Sequence, residues 1–289
     1  MNEQDVIRTI FSMEKKFLKT IPKPAINVSF HLTDACNLNC AGCYHFAPLV
    51  KEINFANLEE FENDIKRLQH LLWQDITVFT LFGGEPLLHA EVHRFPYIIK
   101  KYLPGTQIDI ITNGLLIPNQ SDLFWKSCLD NDVVIQWTKY PIKEEINTRI
   151  EKTLSTRGVN YRVFSGDSEK ELGHFVIDVN GVGQNGQKQR NDARWQWLNC
   201  DKATNCIQLK NQKLYPCSIA ANAHLFIDYF ELNMRLSEWD GINIYNAVDR
   251  REILDFLARP IPFCRYCKVE KQTFGHKFSV SNKQIGEWT

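Results

Sequence analysis

Cys36, Cys40 and Cys43 fall within eight residues, directly behind the short apolar run Ile26–Leu32 that reads as a strand. A C-x3-C-x2-C loop can curve its backbone around one metal centre and present thiolates to it. Three ligands from one loop leave a metal position open to a small molecule, unless His31 or His45 fills it. The chain holds nine cysteines, and five more (Cys200, Cys206, Cys217, Cys264 and Cys267) gather in its last third. No apolar run approaches the ~18 residues that span a bilayer, and charged residues run through the first 24 positions, where a secretory signal would be apolar. The expected location is the cytoplasm, where clustered thiols read as metal sites before disulfides. With 34 basic residues against 34 acidic ones, no basic field is present to recruit nucleic acid or an anionic membrane.

Behind the first cysteine loop, strand and helix signals alternate. Asn57 with Glu60 makes a capping-box start for a helix carrying Phe61, Ile65, Leu68 and Leu72 at helical spacing. Ile76–Phe82, Gln107–Thr112, Val133–Trp137 and Tyr161–Phe164 read as strands, interleaved with helices at Glu91–Tyr102, Asp122–Leu129 and Glu144–Arg157. These strands are nearly continuous apolar runs, as in a parallel sheet covered on both faces. The repeats number five or six, with a sixth strand expected at Phe175–Val179, too few for an eight-fold barrel. The expected fold is therefore α/β. From Trp195 the pattern changes to a hairpin (Ile207–Leu209 with Lys213–Tyr215) and a helix near Arg251–Leu257. The expected division is an N-terminal helical extension at 1–25, a partial barrel at 26–190 and a smaller subdomain at 191–289.

The cysteine loop, its place after the first strand, and Gly83-Gly84-Glu85-Pro86 after the second together resemble the radical S-adenosylmethionine (SAM) superfamily. The resemblance implies a partial (β/α)6 barrel in which Cys36, Cys40 and Cys43 hold a 4Fe–4S cluster whose open iron binds SAM. It also implies that Gly83, Gly84, Glu85 and Pro86 receive the SAM amino group, and that Thr112 and Asn113 lie at its ribose and carboxylate. Gly42 stands where the family commonly has an aromatic residue, and Tyr44 is the ring available instead. A reducing flavodoxin or ferredoxin is the implied electron source.

The C-terminal cysteines admit structural zinc, an iron–sulfur cluster or reduced core thiols on spacing alone. Leu214-Tyr215-Pro216-Cys217 after a short hairpin resembles the twitch form of the SPASM extension, which carries an auxiliary 4Fe–4S cluster. That resemblance makes Cys217, Cys264 and Cys267 ligands, with Cys200 preferred over Cys206 as the fourth. Cys128, alone on a helix of the barrel, reads as a core thiol.

The function implied is reductive cleavage of SAM and hydrogen abstraction from a small molecule, with oxidation of a carbohydrate or aminocyclitol alcohol expected. Epimerisation with a cysteine hydrogen donor, maturation of a ribosomal peptide or protein, and a non-catalytic metal-binding module are the alternatives. Only about 25 residues precede the first strand, which leaves no peptide-recognition domain there and favours a small substrate.

Overall fold

The computed structural model describes residues 26–165, 172–174, 177–179, 192–203, 205, 207–271, 273–276 and 278–289. The expected N-terminal extension and Cys206 lie outside them. Five strands, β1 (Ile26–Thr33), β2 (Ile76–Gly83), β3 (Gln107–Thr112), β4 (Val134–Lys139) and β5 (Asn160–Ser165), lie side by side in chain order. All four pairings among them are parallel, so their carboxyl ends, and the loops that follow, share one face. Helices α1 (Leu58–Leu72), α2 (Phe95–Tyr102), α3 (Asp122–Asp130) and α4 (Glu144–Arg157) make the crossovers.

Local chemistry sets the ends of these helices. Asn57 Oδ1 accepts from the backbone N–H groups of Glu59 and Glu60, which caps α1. Ser121 caps α3 in the same way, and Gly158, at φ 69°, closes α4. The helix expected from Glu91 begins only at Phe95, after a 3-10 turn over Val92–Arg94. Pro96 explains the shift, because a proline is accommodated in a helix's first turn and not beyond it. The apolar face of α1 buries Phe61, Ile65, Leu68 and Leu72 against Val28, Phe79, Leu81 and Phe95 in one continuous core.

The chain beyond 165 departs from a sixth β/α repeat. A short strand β6 (Leu172–His174) pairs antiparallel with β10 (Thr273–His276) in a separate two-stranded sheet. Of the expected strand at 175–179, residues 175 and 176 lie outside the described set, and Ile177 makes an isolated antiparallel bridge to Cys267. The sixth parallel strand is instead β7 (Ile207–Lys210), which joins the free edge of β1. It turns back through β8 (Lys213–Tyr215) to β9 (Ile242–Asn243), giving the order β5-β4-β3-β2-β1-β7-β8-β9. Asn211 and Gln212, both at positive φ, form the two-residue turn between β7 and β8. The hairpin thus continues the barrel sheet.

Three further helices complete the chain: α5 (Ala193–Asn199), α6 (Ser218–Tyr229) and α7 (Arg250–Leu257). The last is capped by Asp249. Helices α5 and α6 are not marked in the sequence reading. Helix α6 is apolar on most sides, with Ile219, Ala220, Ala223 and Phe226 buried in a second core with Phe46, Phe263 and Trp288. A helix apolar on most sides shows no helical period to read. Among the described residues no helix is long and apolar enough to cross a membrane.

Candidate active site

The loop after β1 carries Cys36, Cys40 and Cys43, all partly accessible. Two neighbours fix its shape. The first is the Gly83-Gly84-Glu85 turn after β2, where Gly84 N–H donates to Thr33 O at 2.9 Å and Glu85 N–H to Ala35 O at 2.8 Å. A Cβ on Gly83 would lie 2.1 Å from Thr33 O, and one on Gly84 would lie 2.2 Å from Ala35 O. These two glycines are therefore demanded by the backbone that leads into Cys36. The second is the C-terminal segment: Ala41 N–H donates to Ser279 O at 2.9 Å, and Ser281 N–H donates to Asn39 O at 2.8 Å. Trp288 Nε1–H donates to Cys43 O at 3.0 Å.

Glu85 is wholly buried, at 0% exposure. Its Oε1 accepts from Leu87 N–H at 3.0 Å and from the Thr112 hydroxyl at 2.7 Å, and its Oε2 accepts from Asn113 N–H at 2.9 Å. Burial pushes its carboxyl up to about 7, against those three bonds. Asn113 in turn donates through Nδ2 to Asn37 Oδ1 at 2.7 Å and faces Cys36 Sγ at 3.7 Å. The turns after β2 and β3 are thereby latched to each other and to the cysteine loop. Gly114, at φ 83°, completes the β3 turn where a Cβ would meet the Trp137 ring at 2.6 Å.

Behind the loop lies a half-buried chain of polar groups. His31 Nδ1 meets Asp34 Oδ1 at 2.6 Å, and His31 Nε2 meets His45 Nδ1 at 3.1 Å. Lys210 Nζ donates to both Asp34 oxygens at 2.9 and 2.8 Å, and to Asn222 Oδ1 at 2.6 Å. Burial opposes ionisation of Asp34, but His31 and Lys210 outweigh it and hold the carboxyl well below its usual range. Burial lowers both imidazoles, most strongly at His45. This network joins β1 and the cysteine loop to β7 and α6, and none of its partnerships is visible in sequence spacing.

The inner face of the sheet lines a cavity of about 500 Å³. Ser29, Thr80, Asp109, Gln136 and Arg162, one from each of the five barrel strands, face it, and Tyr44 and His45, the residues that follow Cys43, close it. Lys202 also borders the cavity, 5.5 Å from the Tyr44 ring centroid. Tyr44 therefore stands between the cysteine loop and the cavity. Asp109, Gln136 and Arg162 were missed in the sequence because each sits inside a strand read only for its apolar neighbours. Alternation along β3 to β5 is the signal that would have placed them inward.

In the last third, Cys200, Cys217, Cys264 and Cys267 border one small enclosed cavity together with Trp197 and Pro216. Their positions follow from the end of α5, the N-cap of α6 and the 3-10 turn Pro262–Tyr266. Lys202 N–H donates to Cys200 Sγ at 3.3 Å. Burial pushes the thiols of Cys217, Cys264 and Cys267 up, Cys264 to about 12, and pushes Cys40 of the first loop to about 12. Among the described residues no three His, Cys, Asp or Glu side chains gather as ligands of a single metal ion. The four C-terminal thiols surround a space, the arrangement that suits a multinuclear cluster, whose positive iron would draw off their protons. Cys128 is buried in the barrel core with Trp125 and Phe124, away from both thiol sites. Trp197 packs beside Cys200 and Ala203, whereas Trp195 is exposed.

Residues 30–134 match the family model of the radical SAM superfamily. An uncharacterized protein of Methanocaldococcus jannaschii is 36% identical over 97 residues, which cover 34% of this chain and 29% of that protein. GTP 3',8-cyclase of Clostridium acetobutylicum is 27% identical over 160 residues, covering 50% of this chain and 49% of the cyclase. The chain thus spans about half or less of these curated relatives' length. Among solved structures, BtrN in complex with AdoMet and 2-DOIA superposes with a TM-score of 0.53 at 14% identity, covering 85% of this chain and 93% of BtrN. The anSMEcpe protein with bound AdoMet gives a TM-score of 0.51 at 12% identity, covering 86% of this chain and 84% of that one. At these identities the likeness is one of fold: a mixed α/β architecture on a parallel sheet.

Proposed function

Through residues 30–134 the chain belongs to the radical SAM superfamily, and on that premise we propose that it oxidises an alcohol carbon of a carbohydrate or cyclitol held in the cavity of the barrel sheet. The superfamily binds a 4Fe–4S cluster and SAM, which when bound supply one electron and a 5′-deoxyadenosyl radical able to take hydrogen from an unactivated carbon. The residues present suit that pair. Cys36, Cys40 and Cys43 leave one coordination position unfilled by their loop, and the latched turns at Gly83–Pro86 and Thr112–Asn113 border it.

In this reading Glu85 is a positioning residue. Its carboxylate, occupied by three donors of the chain, fixes the backbone of both turns, and these offer the close-approaching groups that SAM requires. Tyr44 supplies the ring beside the first thiol site. Cys200, Cys217, Cys264 and Cys267 would hold an auxiliary 4Fe–4S cluster, which when bound would supply the acceptor for the second electron of the oxidation, while Cys206 lies outside the described residues. Divisions at residues 25 and 190 remain our proposed domain boundaries, the second falling in the stretch between β6 and α5.

The observation that carries the substrate reading is the polarity of the barrel interior. A packed barrel core is filled by branched apolar residues, whereas here Asp109, Gln136 and Arg162 face an open cavity that Tyr44 and His45 link to the cysteine loop. Such a wall binds a small polar molecule and orients one carbon toward the radical source while the surrounding side chains exclude water. The His45 imidazole stands at the same cavity edge, hydrogen-bonded on its other side to His31, and a substrate hydroxyl can donate to it.

The test is anaerobic incubation with SAM, a one-electron reductant and candidate polyols in deuterium oxide. A carbonyl product with no solvent deuterium at that carbon, and one 5′-deoxyadenosine per product, supports oxidation. An inverted alcohol carrying one solvent deuteron would replace it with epimerisation.

A further inference from the structure

We propose that Asp109 is the specificity residue of the barrel cavity, and that its Oδ1 accepts a hydrogen bond from a hydroxyl of a neutral polyol. This inference deepens the reading above and rests on it for the location of the substrate.

Asp109 occupies the middle of β3, paired with Thr80 on β2 and Val134 on β4. It is only 4% exposed and borders the cavity. Its two oxygens are treated differently. Oδ2 accepts from Gln136 Nε2–H on the neighbouring strand, while Oδ1 is buried and has no hydrogen-bond partner among the described residues. A buried carboxylate oxygen without a donor is costly, by about 1–3 kcal/mol, and such a group points to a missing partner. Burial also pushes the carboxyl up, against the Gln136 bond, the nearby Arg162 charge and the Gln107 side chain. A donor placed on Oδ1 relieves that strain.

The chemistry of the donor follows from the neighbours. Arg162, in register with Gln136 on the adjacent strand, already offsets the negative charge of Asp109. An ammonium group on Oδ1 would meet the guanidinium field, whereas a neutral hydroxyl completes the carboxylate without adding charge. Ser29 is engaged elsewhere, its hydroxyl donating to Ile207 O at 2.8 Å. Among the described residues of these strands that border the cavity, Asp109 Oδ1 is a buried carboxylate oxygen without a hydrogen-bond partner. A ring or chain bearing several hydroxyls fits a wall built of a carboxylate, an amide and a guanidinium. An apolar molecule would leave all three dehydrated and unpaired.

Equilibrium dialysis of the anaerobically reconstituted, SAM-loaded protein against radiolabelled myo-inositol tests the assignment. Saturable binding of one myo-inositol per chain is expected, with preference over cyclohexanol, and Asp109→Asn should weaken it about tenfold or more by turning a donor toward the ligand. Equal affinity in the variant, or no saturable binding by the unaltered protein, overturns the proposal. Should Asp109→Asn not fold, a crystal structure of the unaltered protein with myo-inositol decides. A hydroxyl within hydrogen-bond distance of Oδ1 is expected, and a ring bound away from Asp109 refutes it. Release of 5′-deoxyadenosine by the unaltered protein without polyol is measured in parallel. Its absence removes the radical reading whatever the dialysis shows, and its presence beside failed dialysis removes the Asp109 assignment alone.

Discussion

The Thr112 hydroxyl donates to Glu85 Oε1 at 2.7 Å, and through this bond the turn after β3 is tied to the turn after β2. Because the β2 turn also holds the backbone of Thr33 and Ala35, three loops that are far apart in sequence are joined by hydrogen bonds. Glu85→Gln presents an N–H group to donors that need an acceptor. We expect it to destabilise the protein by about 2 kcal/mol, seen as a lowered midpoint in urea, and to weaken SAM binding measured by dialysis.

The same carboxyl gives a pH prediction. Its folded value, raised to about 7, exceeds the ordinary ~4.3 of an unfolded Glu. The folded state therefore binds the proton more tightly. Its contribution is full below about pH 4 and is lost as pH rises through about 7. In cluster-free protein, urea unfolding between about pH 5 and 8 should show a fall in stability, of order 3 kcal/mol, that is absent in Glu85→Gln. Parallel pH profiles for the two proteins would show that Glu85 is ionised throughout.

On the proposed reading, the four C-terminal thiols act separately from the first loop. Cys200→Ala, Cys217→Ala, Cys264→Ala and Cys267→Ala should each lower iron and sulfide by about half while SAM cleavage persists. Cys206→Ala should keep both clusters. Full iron content in Cys200→Ala together with loss in Cys206→Ala would reassign the fourth ligand.

The C-terminal segment is expected to brace the first thiol site. Trp288→Phe removes the bond from Nε1 to Cys43 O while keeping the buried ring, at a cost of about 1 kcal/mol. Trp288→Ala also empties its place in the second core and should cost about 3–5 kcal/mol. Thermal unfolding gives the stability. Iron retained after gel filtration shows whether the cysteine loop loosens in step, and undiminished iron in Trp288→Ala would free the loop from the tail.

Much of the site was legible because its chemistry is local. The cysteine spacing, the Gly-Gly-Glu-Pro turn and Asn113-Gly114 each sit directly behind a readable strand, and capping by Asn57 marks α1. Other features depend on partners distant in the chain. The pairing of β7 with β1, the bond from Lys210 to Asp34 and the grip of Ser279 and Trp288 on the cysteine loop all join residues separated by more than half of the chain's length. Asp109 and Gln136 were hidden for another reason: a polar residue within an apolar strand is readable as functional only once its inward face is known.

Lys210 offers a test of that long-range link. Lys210→Met leaves the half-buried Asp34 carboxylate with His31 as its remaining side-chain hydrogen-bond partner, and should cost about 3 kcal/mol. Asp34→Asn with Lys210→Met should cost less than the sum of the single changes. Additive costs in chemical denaturation would mean that the two groups do not couple.

The central claim is that Cys36, Cys40 and Cys43 support reductive cleavage of SAM, and product analysis tests it most directly. Anaerobically reconstituted protein, given SAM and dithionite, should release 5′-deoxyadenosine and methionine in equal amounts. The triple Cys36→Ala, Cys40→Ala, Cys43→Ala variant should release neither while keeping the auxiliary iron. Stoichiometric zinc without iron in the anaerobically purified protein, and no 5′-deoxyadenosine after reconstitution, would contradict the account.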